Sequence, residues 1–254
     1  MKFHYICPLF LVVILTGYSS VGLAGDGYQQ TSNKITLAYF NFDEKALAEY
    51  AASKSFISQI DAEWRLYSKA LIKYRLAVIS LYHSKDQQAD QYLDAALEFI
   101  ALDESDRTLT ERLGLKSSLY GLKIAVSAFR GMSLGRKIGD TIDEAKKRDK
   151  SNLRIKLFDA VSLYNKPFLF GGDKEKAINL LEELLQSPNI STPPYWGLDD
   201  AKHWYVRMIL GKFEGARAAR AIKIFESLKR DYPNSPLIAK LQPKVDSAIE
   251  TLAR

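Results

Sequence analysis

Apolar residues recur at helical spacing along the chain from Asp43 onward. The longest stripe runs Ile60, Trp64, Tyr67, Leu71, Tyr74, Val78 and Leu81, in steps alternating between four and three. Side chains return to one face of an α-helix at that spacing. A second stripe, Leu66, Ala70 and Ala77, lies on the same segment. A helix apolar on two sides packs between neighbours. Similar stripes follow at Ala89, Leu93, Ala96, Leu97 and Ile100, at Ala177, Leu181, Leu184 and Leu185, and at Ala218, Ala221, Ile222, Phe225 and Leu228. Strand patterns are scarce: residues 35–42 alternate poorly and have no partner run. Residues 25–33 are polar and glycine-bearing, which reads as a linker. The pattern therefore predicts a linker or N-terminal segment over 25–42 and a helical domain over 43–254.

Breaks between the predicted helices are well marked. Asp86 opens one segment, residues 103–108 interrupt the chain, and Ser151-Asn152 follows a Lys146-Lys147-Arg148 turn. Those three cations suit the carbonyl end of a helix dipole. Asp173 and Asp199 stand where a helix N-cap belongs. Pro188, Pro193 and Pro194, and later Pro233 and Pro236, cannot continue a helix interior. Paired amphipathic helices joined by short turns predict stacked antiparallel hairpins, an all-α solenoid.

A spacing recurs in the second helix of each pair: Ala89/Leu93/Ala96, Ile138/Ile142/Ala145, Ala177/Leu181/Leu184 and Ala221/Phe225/Leu228. The last is followed by Asp231-Tyr232-Pro233-Asn234-Ser235-Pro236. This pattern resembles the second helix of a tetratricopeptide repeat (TPR) with its Ala, Phe and Pro marks. The closing phrase resembles a junction common in exported bacterial TPR proteins. The Phe170-Gly171-Gly172-Asp173-Lys174 loop resembles an insertion of divergent members. The likeness covers residues 68–234 and implies about four irregular repeats. The copies stand 49, 39 and 44 residues apart, wider than the ~34 of a regular array.

The first residues read as an address. Lys2, an apolar run over residues 6–15 broken by Pro8, and the small residues Gly22-Leu23-Ala24 have the layout of a secretory signal over 1–24. The run is shorter than the ~20 apolar residues of a membrane span. Cys7, the single cysteine, lies inside that run, so a chain cut after Ala24 carries no thiol. That suits an oxidising compartment, and periplasmic or secreted localisation is expected. Hydrophobic residues at 47% and charged residues at 26% are ordinary globular usage. Loss of Lys2 takes the charge from +6 to +5. The cations are interspersed with acids, so nucleic acid is not an expected partner.

Catalytic patterns fail on context. Gly131-Met132-Ser133-Leu134-Gly135 matches the G-x-S-x-G elbow of serine hydrolases, with Asp199 or Asp200 and His203 following in order. That chemistry needs a strand-to-helix turn above a parallel sheet, and the preceding residues have helical spacing. Gly171-Gly172-Asp173-Lys174 lacks the remainder of a phosphate loop and reads as a capped turn, with Phe168 and Phe170 plugging the gap between hairpins. Metal-ligand spacings are missing, and no cofactor is expected. Asn189-Ile190-Ser191 is a glycosylation sequon that matters only in a eukaryotic secretory route.

What remains is a surface. The TPR resemblance implies a concave face lined by the first helix of each pair. It implies partner contacts at Tyr82, Tyr120, Lys123, Arg130, Arg154, Tyr164, Asn165 and His203; separately, Trp196 in the proline loop is a candidate anchor if exposed and a strut that closes the stack if buried. Tyrosine rings pack against an extended peptide while cations pair with its acids. The expected function is a non-catalytic scaffold that binds a protein or peptide in the cell envelope, with membrane association only through that partner. The alternatives are a small-ligand or glycan-binding protein and, remotely, a serine hydrolase using Ser133.

Overall fold

A computed structural model describes residues 23–186, 192–210 and 215–252. Every regular element among these residues is helical. The chain opens with α1 (Leu23–Phe40), α2 (Glu44–Ala52) and α3 (Lys54–Ser58). Four hairpins follow: α4 (Arg65–Tyr82) with α5 (Asp86–Leu102), α6 (Leu109–Val126) with α7 (Gly131–Arg148), α8 (Leu153–Asn165) with α9 (Lys174–Gln186), and α10 (Leu198–Ile209) with α11 (Gly215–Asp231). Short α12 (Pro236–Ala239) leads into α13 (Gln242–Leu252), which packs on α11 and covers that end of the stack. The architecture is the expected all-α stack of about four irregular TPR-like repeats.

The recurring positions explain why the hairpins close. Ala89, Leu93 and Ala96, Ile138, Ile142 and Ala145, Ala177, Leu181 and Leu184, and Ala221, Phe225 and Leu228 are all buried. Small residues let paired helices approach, and the larger ones fill the space between turns. Successive hairpins are held as tightly. At Gly114 an added Cβ would lie 2.5 Å from Ile155 Cδ1 and 2.8 Å from Phe158. Glycine is thus what lets α6 lie against α8. Helix α4, apolar on two sides, packs against α1, α2, α5 and α6.

The caps follow the sequence in part. Asn152 Oδ1 accepts from the backbone of Arg154 and Ile155, and Asp173 Oδ1 accepts from Lys176 N at 2.9 Å. The cap expected at Asp199 is not formed. Gly197, in the left-handed region at φ 113°, precedes α10 and frees Asp199 for other bonds.

The linker expected over residues 25–33 is instead part of α1. Tyr28, Ile35, Tyr39 and Phe40 are buried on it, and so are Thr31 and Ser32. Ser32 Oγ donates to Pro194 O at 2.9 Å. Thr31 Oγ1 donates to Gly27 O at 2.8 Å, so the polar residues that hid the helical period are core residues, one bonded within α1 and one to a distant loop. Residues 1–22 of the expected leader, Cys7 among them, lie outside the described residues, as do the sequon and the start of the proline loop at 187–191. Among the described residues no helix is long and apolar enough to cross a membrane.

Candidate functional site on the inner face

Charged side chains of α4, α6, α8 and α10, the first helices of the four hairpins, pair with one another inside the protein. Arg75 of α4 places both terminal nitrogens on the Asp200 carboxylate of α10, with Nη2–Oδ2 at 2.8 Å. The guanidinium lies between the rings of Tyr39, 4.0 Å from its centroid, and Trp196, at 4.8 Å. Burial opposes the charge, yet the Asp200 carboxylate outweighs burial and holds Arg75 above its ordinary pKa. The first and fourth hairpins are thereby joined directly. Beside them, Arg154 Nε donates to Glu111 Oε1 at 2.8 Å, and its terminal nitrogens bond Pro193 O and Trp196 O. Trp196 Nε1 donates to Tyr67 OH at 3.1 Å.

Helix α1 covers this layer. Tyr28 OH is 3.3 Å from Ser68 Oγ, the Tyr28 ring meets Tyr195 edge-on, and Phe40 stacks on Tyr232 at 4.3 Å. The inner face is thus filled from within the chain.

That filling revises the expected partner contacts. Arg154 and His203 are buried in this packing, and Trp196 is buried apart from what it contributes to the cleft described below. Burial, then the nearby Arg207 charge, pushes His203 down to about 4, so the ring is neutral at ordinary pH. Lys123 is also buried, 2.8 Å from Asp90 and 2.5 Å from Asp94. Arg130 grips Asp90 from the other side, with Nη2–Oδ2 at 3.0 Å. The Arg130 hydrogen bonds, helped by Lys123 against partial desolvation, hold Asp90 at about 2. These two cations seam α5 to the α6–α7 turn.

The other expected contacts scatter. Tyr82 packs on the Phe42 ring and donates to Pro236 O at 3.4 Å. Tyr120 and Tyr164 are half-buried beneath Lys116 and Lys174. Asn165 is exposed and donates back to Val161 O at 2.8 Å.

The hydrolase constellation is not assembled either. Ser133 is exposed in the first turn of α7 and donates to Arg130 O at 3.2 Å. His203 is enclosed by the rings of Phe40 and Trp204. Gly135, the last residue of the G-x-S-x-G match, lies inside α7 and not at a strand-to-helix turn. Among the described residues, no group of three or more His, Cys, Asp or Glu could hold a metal ion. Phe168 and Phe170 plug no gap: they project into solvent.

A cleft of about 380 Å³ is bounded by Gln29, Asn33 and Thr36 on α1 and by Tyr195, Asp199 and Tyr232 opposite, with Trp196 at its floor. The α1 residues are spaced four and three apart, one face of that helix. Tyr232 OH donates to Asp199 Oδ2 at 2.6 Å, and Lys202 Nζ holds Oδ1 at 2.8 Å. Desolvation, reinforced by Asp199, raises the Tyr232 phenol well above its ordinary range, so it stays a donor. The 29/33/36 triplet is visible in the sequence, but only a helical reading of residues 25–33 would have exposed it.

Comparison with known proteins agrees with the repeats. Residues 206–235 match the tetratricopeptide repeat family. They span the end of α10, α11 and the Asp231–Ser235 junction. No curated protein sequence matches the chain. Among solved structures the chain is similar to a TPR repeats protein from Bacteroides fragilis, 16% identical over 87% of this chain and 98% of that one, with a TM-score of 0.28. The chain is a divergent TPR-like protein.

Proposed function

We propose that the chain is an exported, non-catalytic scaffold of the cell envelope, and that it holds an extended segment of a partner protein in the cleft beside α1. The TPR-like helical repeat is a protein-interaction fold. The observation that carries the finer reading is the polar stripe Gln29/Asn33/Thr36 facing Tyr195, Asp199 and Tyr232 across open space. Amide and hydroxyl side chains both donate and accept. They match the N–H and C=O groups of an extended backbone, which a flat apolar face would leave unpaired. Export is supported by the leader-like residues 1–24. A cut after Ala24 would keep every α1 side chain that packs on the inner face, from Tyr28 to Phe40.

The test is a photo-crosslinking residue at Asn33, with one at the exposed Glu226 of α11 as control, followed by mass spectrometry of envelope fractions. A partner captured at position 33, and lost when Thr36→Arg narrows the cleft, supports the reading. Absence of any position-33 adduct overturns it. The cleft volume also lies within the ~300–1,000 Å³ of small-ligand sites. A polar small molecule retained in native mass spectrometry and released by Thr36→Arg would favour the ligand-binding alternative.

A further inference from the structure

Among the described residues, the five most exposed large apolar side chains cluster on two turns. Phe129 and Met132 lie at the α6–α7 turn, and Phe168, Leu169 and Phe170 at the α8–α9 turn; each is between 76% and 93% exposed. The turns are neighbours. Glu111 pairs with Arg154, and Gly114 touches Ile155 and Phe158, so α6 and α8 run side by side in one direction. From those contacts α6 continues to Val126 and α8 to Asn165. At 1.5 Å per residue their ends differ by about 6 Å, across an interaxial distance of roughly 8–10 Å. Both turns therefore project from the same edge of the stack.

Neither turn is loose at its base. Gly172 is buried, and a Cβ there would lie 1.9 Å from Lys166 O, so the α8–α9 loop is cinched below its tip. The Phe168–Phe170 turn is held out rather than left over. Five such side chains in one place exceed the scattered apolar residues normal on a monomer.

Cations ring the two turns. Residues 128–137 carry Arg130, Arg136 and Lys137; Arg130 is held by Asp90 and Arg136 lies 3.5 Å from Asp140, which leaves Lys137 as the cation of this turn for an outside anion. On the second turn stand Lys166, Lys174 and Lys176, with Asp173 used as a cap and Glu175 paired to Arg217. Lys174 and Lys176 sit in the first turn of α9, and Arg136 and Lys137 near the start of α7. The helix dipole disfavours cations in a first turn, so helix stability does not account for Lys174 and Lys176.

We propose that this edge docks directly on an anionic lipid surface. Phe129, Met132, Phe168, Leu169 and Phe170 would enter the interfacial layer, and the lysines would meet lipid headgroups. Apolar tips ringed by cations match such a surface in both chemistry and charge. The contact is peripheral. It replaces the expectation that membrane association runs only through a partner, and it is independent of the cleft beside α1.

The test places tryptophan on the edge. The full chain carrying Leu169→Trp is mixed with phosphatidylglycerol/phosphatidylethanolamine vesicles that contain brominated acyl chains. Glu226→Trp serves as the control; it lies eleven residues into α11, about 16 Å along that helix. Quenching of the Leu169→Trp emission above that of the control, lost in high salt or in phosphatidylcholine vesicles, is expected. Binding by F168S/L169S/F170S should be weaker by about tenfold or more, with an unchanged circular dichroism spectrum. This readout reports the edge even where residues 1–24 attach the chain to vesicles. Unquenched emission on vesicle-bound chain, or no binding, overturns the proposal. So would equal quenching in phosphatidylcholine, or capture of a protein through these turns without any lipid effect.

Discussion

Replacing Asp200 by alanine isolates the contact that joins the first hairpin to the fourth. Arg75 is 1% exposed, and its Nε already lacks a hydrogen-bond partner. The variant leaves its guanidinium charged, buried and facing no anion. Breaking a buried ion pair from one side costs about 3–5 kcal/mol, against a total stability of roughly 5–15 kcal/mol for ordinary domains. At roughly 2–4 °C per kcal/mol for a chain of this size, the melting temperature should fall by about 6–20 °C. Asp200→Asn keeps a hydrogen-bond acceptor without the charge and should fall in between. The double variant R75M/D200L removes both charges and should recover most of the loss, since apolar replacement of a whole buried pair is often neutral. Thermal unfolding followed by circular dichroism, with urea titrations, measures all three. A D200A protein within about 1 kcal/mol of wild type would refute the reasoning, because it would mean that water reaches Arg75.

Three further outcomes are expected. Stability should fall as pH drops from about 6.5 toward about 4, because the unfolded chain protonates His203 at its ordinary pKa while the buried ring resists until about 4; the loss approaches about 3 kcal/mol, and urea titrations of His203→Gln should show a flatter profile. Gly114→Ala should destabilise by about 1–3 kcal/mol in the same assay, because the new methyl group overlaps Ile155 and Phe158. Ser133→Ala should change neither melting temperature nor any esterase background, since the hydroxyl is exposed and bonds only its own turn in the contacts described.

The repeats were legible because their cause is local. Ala221, Phe225 and Leu228 share a helix face whatever the partner, and Asn152 and Asp173 cap from within their own turns. The partner contacts were not legible for the opposite reason. Lys123 and Arg130 read as groove cations, but their anions lie on α5, 29 to 40 residues away. Arg154 meets Glu111 at a separation of 43. A cation on a helix face looks the same in sequence whether water or a carboxylate awaits it.

The amino-acid sequence by itself determined the helices, their breaks, the small-large-small seams of the hairpins and the TPR-like class, because each follows from spacing within one or two turns. Tertiary structure alone decided how far the stack curls. Arg75 and Asp200 are 125 positions apart, and their pairing brings α4 against α10. It also decided that residues 25–40 form a helix, since buried Thr31 and Ser32 mask the apolar period until Gln59 meets the first and Pro194 and Tyr195 the second. Once α1 lies over the inner face, an expected groove becomes core. The cleft at Asn33 and the apolar edge at Phe129 and Phe168, the two surfaces proposed here for other molecules, both depend on contacts distant in sequence.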